Sequence, residues 1–166
     1  MNEPSRVPEQ TGLPVPALRP CVDLWVDVDR PIEVGPVGTV TRRVVPIRGG
    51  HAVGITDGWR ARVLPGGADY QSIVHAGCAI LHARYVLETD AGDRIYVENN
   101  AIRTGQPELV AQLMRGEPVD PAAIYFRCVP RLEAAAPALR WMNERIFVGT
   151  GARHPAQVVL RFCEVL

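Results

Sequence analysis

Between Cys21 and Val28 the chain reads Cys-Val-Asp-Leu-Trp-Val-Asp-Val, an alternation of apolar and polar positions with the two-residue period of a strand that buries one face. Similar segments follow at 39–47, 51–55, 59–64, 69–74, 78–89, 94–99, 123–129, 144–150 and 157–165. Turn chemistry separates them: Gly35-Pro36, Gly49-Gly50, Asp57-Gly58, Gly66-Gly67, Asp90-Ala91-Gly92-Asp93 and Gly149-Thr150-Gly151. One helix is expected from Pro107 to about Arg115, with Leu109, Val110, Leu113 and Met114 on one side and Gly116 as its stop. Short helical turns are expected at Asp120–Ala123 and around Pro137 to Met142. Many antiparallel strands with one short capping helix predict an all-β antiparallel barrel or a strongly curved sandwich, and closure would remove the exposed strand edges. Residues 1–20 carry Pro4, Pro8, Pro14, Pro16 and Pro20 and read as an extended leader, leaving 21–166 as a single barrel domain.

Composition narrows the chemistry. The 18 basic residues, all arginine, balance 18 acidic ones, so there is no electrostatic footprint for nucleic acid or an anionic membrane. No run approaches the roughly 20 apolar residues of a spanning helix, and the amino terminus lacks the pattern of a signal peptide. A cytoplasmic protein is expected. Without lysine, Schiff-base catalysis, covalent pyridoxal phosphate and a Walker-type phosphate loop are excluded. Serine occurs only as Ser5 and Ser72, and there is no Gly-x-Ser-x-Gly elbow. Cys21, Cys78, Cys128 and Cys163 form no C-x-x-C pair and read as free buried thiols, with a single Cys nucleophile as the alternative. His51, His75, His82 and His154 are dispersed, so neither a metal site nor another cofactor is expected.

The candidate chemistry starts at Leu64-Pro65-Gly66-Gly67-Ala68-Asp69-Tyr70, where a shaped turn delivers the Asp69 carboxylate between two strands. In 78–89, parity sorts Ala79, Leu81, Ala83, Tyr85 and Leu87 onto one face and Ile80, His82, Arg84, Val86 and Glu88 onto the other. That second face is either a solvated exterior or the wall of a polar lumen. Arg127 sits among aromatic and apolar neighbours in Tyr125–Glu133. If it is buried it needs a carboxylate, for which Asp69, Glu98 and Glu133 are the candidates. Trp141-Met142-Asn143 reads either as core or as an aromatic pocket wall with an amide that must find partners.

Taken in order, Gly49-Gly50, Leu64–Asp69, Ala83-Arg84-Tyr85, Ile95-Tyr96-Val97, Gly116–Val119, Tyr125-Phe126-Arg127, Trp141-Met142-Asn143 and Phe147-Val148-Gly149 resemble the successive blocks of domain-of-unknown-function family 3237, from about Cys21 to the carboxyl end. The resemblance implies an antiparallel barrel similar to allene oxide cyclase and dirigent proteins, associating as homo-oligomers, with no settled activity. His82, Leu132, Cys128 and His51 depart from the usual pattern of that family.

The leading expectation is a cofactor-free lyase, isomerase or cyclase acting on a small, hydrophobic, carbonyl-bearing or polyketide-like molecule inside the barrel. Asp69 would be a general base or would hold a tyrosine or histidine in place, Arg84 and Arg127 would stabilise negative charge, and Tyr85, Tyr96 or His82 would donate a proton. Trp141, Asn143, Glu133 and His51 would complete the ligand contacts. The alternatives are a non-catalytic small-molecule-binding barrel of lipocalin or dirigent type, and a structural protein whose charges only pair with one another.

Overall fold

The computed structural model describes residues 12–166. Its strands are β1 (Leu18–Val28), β2 (Ile32–Val37), β3 (Val40–Gly54), β4 (Arg60–Val63), β5 (Ala68–His75), β6 (Cys78–Thr89), β7 (Arg94–Thr104), β8 (Tyr125–Ala134), β9 (Phe147–Arg153) and β10 (Gln157–Val165). One helix, α1 (Pro107–Met114), and two short 3₁₀ turns, Pro121–Ala123 and Arg140–Glu144, complete the fold. All pairings are antiparallel, and β1 joins both β10 and β3, which closes the sheet into a barrel of eight positions. β3 is the long stave. Its first half lies between β2 and β5, and its second half lies between β1 and β4.

Strand 39–47 and strand 51–55 are thus one element, and Gly49-Gly50 is not a turn. A side chain at Gly50 would place its Cβ 2.0 Å from the Trp25 carbonyl oxygen, so glycine is there to let β1 press against β3. β2, which carries little apolar alternation, is a strand that the hydrophobic pattern does not announce. β1 begins at Leu18, three residues before the expected domain start. Residues 1–11 of the expected leader lie outside the described residues.

Parity decides which side chains fill the barrel. Ala79, Leu81, Tyr85 and Leu87 of β6 are buried, and the same phase holds Ile95 and Val97 of β7, Leu132 of β8, and Phe162 of β10. Leu24, Ile95, Val97, Phe147 and Phe162 are fully buried, each contributing roughly 1.5–3 kcal/mol by removal from water. The other phase of β6 is the exterior: Arg62 and Arg94 pair with Glu88, and Arg84 pairs with Glu98 at 3.2 Å.

The two ends of the barrel differ. Where β6 and β8 finish and β9 starts, the 3₁₀ turn Arg140–Glu144 plugs the opening with buried Met142 and with Trp141, whose ring lies 6.0 Å from that of Phe147. Glu164, only 3% exposed, is held there by Arg19 at 2.6 Å and Arg145 at 3.0 Å. At the opposite end, α1 lies across the opening without burying any of its own residues.

Candidate functional site

The Leu64–Ala68 turn brings the chain from β4 into β5. Gly66 takes a positive φ of 103°, and a Cβ at Gly67 would sit 2.5 Å from the Arg84 carbonyl oxygen, so only this glycine pair lets the turn close against β6. Asp69 then falls opposite Ala83 with its carboxylate directed to the lumen. One oxygen accepts the backbone N–H of His82 at 3.0 Å, and the other accepts the side-chain amide of Gln71 at 2.5 Å. Gln71 in turn accepts from Arg43 Nε at 2.7 Å, so a relay runs from guanidinium to amide to carboxylate. Burial pushes the Asp69 carboxyl above the usual carboxylate range, against the opposing pull of the Gln71 and His82 hydrogen bonds and of Arg103 and Arg153.

Asp69 shares a cavity of about 40 Å³ with Gln71, Tyr85, Asn99, Arg103 and Arg153, over apolar walls that include Val26, Ile47, Leu81 and Phe126. Two of its polar atoms, the Tyr85 hydroxyl and Asn99 Oδ1, are buried with no hydrogen-bond partner among the described residues. An unmet buried polar group costs about 1–3 kcal/mol, so two in one cavity are a conspicuous sacrifice of stability. Burial holds the Tyr85 phenol far above its ordinary pKa, which keeps it a proton donor. Burial also pushes the neighbouring Cys128 thiol up to about 12, which disfavours its thiolate.

Arg43, Arg103 and Arg153 ring the mouth of this cavity. Arg103 is 4% exposed, yet no carboxylate lies within ion-pair distance of any of the three among the described residues. Burial, together with repulsion from Arg43 and Arg153, lowers Arg103 to about 10, still charged at neutral pH. Beyond them a hollow of about 160 Å³ opens between the barrel end and the Val110, Ala111 and Met114 side of α1.

Of the ten residues singled out in the sequence, the barrel brings only Asp69 and Tyr85 to this lumen. His82 and Arg84 belong to the outward phase of β6, where the His82 ring meets Asn100 Oδ1 at 2.8 Å and Arg84 pairs with Glu98. Arg127 is also exterior. Its guanidinium lies 4.9 Å over the Tyr125 ring and donates to the Phe126 carbonyl, so it needs no buried carboxylate partner. Tyr96 is 38% exposed on the outer face of β7, Glu133 pairs with Arg131 at 2.7 Å, and His51 stacks on Trp25 outside the barrel at 4.7 Å. Trp141 packs at the far end as core, and Asn143 brackets Ala134, accepting from its N–H at 2.8 Å and donating to its carbonyl at 3.0 Å. Asn143 thus finds its partners in the backbone and not in a ligand.

The residues that sequence reading missed share one signal. Asn99 and Arg103 continue the buried phase of Ile95 and Val97, Arg153 continues that of Phe147, and Gln71 continues that of Asp69. Ending β7 at residue 99 and β9 at residue 150 cut that phase short.

Residues 16–165 match the profile of a family described as Protein of unknown function (DUF3237). A UPF0311 protein of Rhodopseudomonas palustris is 47% identical over 134 residues, which are 81% of this chain and 86% of that protein. A crystal structure of a conserved R. palustris protein of unknown function superposes with a TM-score of 0.88 at 41% identity, over 93% of this chain and 100% of the other. A β-barrel-like protein of Acinetobacter baumannii gives 0.80 at 33% identity, over 95% and 100%. An enzyme from Penicillium herquei shares the fold, with a TM-score of 0.68 at 14% identity over 93% and 98%.

Proposed function

The chain belongs to the DUF3237 family, whose function is unknown, and from the chemistry of its lumen we propose that it is a lyase, isomerase or cyclase that moves a proton on a small, hydrophobic, carbonyl-bearing molecule. One observation carries this reading: a buried carboxyl, Asp69, shares a largely apolar cavity with the Tyr85 hydroxyl and the Asn99 side-chain oxygen, which have no hydrogen-bond partner among the described residues. Groups left unmet at such a cost are the ones a ligand would meet.

In this mechanism Asp69 ionises and takes a proton from carbon or oxygen next to the ligand carbonyl. Its raised pKa brings it closer to neutrality and so makes it a stronger base than an exposed aspartate. The Tyr85 hydroxyl, held protonated, donates a hydrogen bond to the oxygen on which negative charge develops, in surroundings where water does not compete. Return of the proton at another position gives isomerisation or ring closure, and loss of a leaving group gives elimination. Proton transfer of this kind contributes about 10²–10⁴-fold.

The test is hydrogen–deuterium exchange at the carbon next to the carbonyl. A panel of small aryl ketones and 1,3-dicarbonyls is incubated with the protein in D₂O and followed by ¹H NMR. Exchange is expected with the native chain, with about 10²-fold or greater loss in Asp69→Asn. Undiminished exchange in Asp69→Asn overturns the assignment. Saturable binding with no exchange assigns the barrel to ligand carriage, the reading that its apolar walls favour when taken alone.

A further inference from the structure

The arginines at the mouth of the lumen are not explained by proton transfer. Arg103 is almost wholly buried and has one side-chain acceptor, the Met114 sulfur at 3.9 Å. Arg43 donates to the same sulfur at 3.6 Å and to Gln71. Arg153, from β9, lies close enough to act on both of them and has no hydrogen-bonded partner among the described residues. A thioether is a weak acceptor, and two guanidinium forks converging on one sulfur leave most of their donors unmet. Unpaired charge at this depth is costly and calls for an anion.

We infer that Arg43, Arg103 and Arg153 bind a carboxylate carried by the lumen's ligand, and that this carboxylate replaces the Met114 sulfur as the acceptor beneath α1. The substrate class is therefore a small hydrophobic carboxylic acid with its carbonyl end toward Asp69. This rests on the reading of the lumen as the ligand site.

Charge supports a monoanion. The negative groups that act on the three arginines are Asp69, inside, and Glu33, on the exposed β2 strand near Arg43, so one positive charge is left when both are ionised. Guanidinium forks match the planar, paired oxygens of a carboxylate. Space supports it as well. The 160 Å³ hollow under α1 has room for the acid group, whereas the 40 Å³ cavity below it does not hold a whole ligand without displacing its cover. α1 can yield because none of its residues is more than half-buried.

The test compares each of a series of monocarboxylates, from acetate through benzoate to 3-phenylpropanoate, with its primary amide and with inorganic phosphate, by calorimetric titration and thermal shift. At least one acid is expected to bind tenfold or more tightly than its amide and than phosphate. Arg103→Met is expected to erase that preference while raising the melting temperature of the free protein, whereas a merely structural arginine would lower it. Arg153→Gln, at a partly exposed position, is expected to weaken the preference without threatening the fold. No acid preferred over its amide, phosphate binding as tightly as the best acid, or a preference that survives both substitutions would overturn the inference. These readouts are binding preferences and the Asp69 readout is proton exchange, so either reading can fail with the other intact.

Discussion

The two ends of this barrel solve the problem of buried charge in opposite ways. At the plugged end one buried carboxylate, Glu164, is shared by two half-exposed arginines, Arg19 at 2.6 Å and Arg145 at 3.0 Å. At the α1 end the ratio is reversed: Arg43, Arg103 and Arg153 surround one carboxyl, Asp69, which burial drives toward its neutral form. The plugged end is complete as built, with Phe147 and Met142 wholly buried and Asn143 stitching the 3₁₀ turn to β8. The α1 end keeps polar groups unmet and covers them with a helix whose residues are at most half-buried. The satisfied end and the unsatisfied end thus lie on one axis, and the alternation of a single set of strands builds both.

That contrast breaks most severely at the plug. Phe147→Ala is expected to lower unfolding free energy by about 3–5 kcal/mol in urea denaturation, because the cavity it leaves is lined by a packed end with no slack. The opposite sign is expected across the barrel. Tyr85→Phe removes a buried hydroxyl with no partner and should raise stability by about 1 kcal/mol, in the same denaturation assay, while weakening proton exchange. A loss of stability there would mean that the hydroxyl is satisfied in solution.

The finest test is a pH dependence. Because the folded-state pKa of Asp69 lies above its unfolded value, its contribution is fully present below about pH 3.8 and is lost as pH rises through the folded value. The stability difference between the native chain and Asp69→Asn should therefore shift against the native chain over that window. Denaturation midpoints measured from pH 3 to 8 check the sign, and a shift in the other direction would mean that the arginines outweigh desolvation.

The barrel, the cap helix and the Asp69 turn were legible in the sequence because they rest on local signals: two-residue alternation, a proline-started apolar stripe, and Pro-Gly-Gly chemistry. Tyr85 was legible too, as a member of the apolar phase of β6. For the charged candidates His82, Arg84 and Arg127 the sequence left inside and outside open, because parity says which residues share a face but not which face is inside when both carry apolar groups. In β6 the outer face includes Ile80 and Val86, and in β8 the outer neighbours of Arg127 include Tyr125 and Val129. The mouth arginines were invisible for a different reason. Arg43, Arg103 and Arg153 come from three strands far apart in sequence, and only closure of the sheet brings them together.

Closure also leaves one liability. Among the described residues β2 pairs with β3 alone and ends the sheet, with Ile32, Val34 and Val37 more than half exposed. An apolar free edge of that kind is a template for chain-to-chain pairing and growth into aggregates. Here the strand carries a bulge between Glu33 and Gly35, and next to it Pro36, which has no N–H to offer an incoming strand. Resistance to pairing along this edge therefore rests on the bulge and on Pro36, remote from the lumen, which act on encounters between molecules and not on the fold of any one of them.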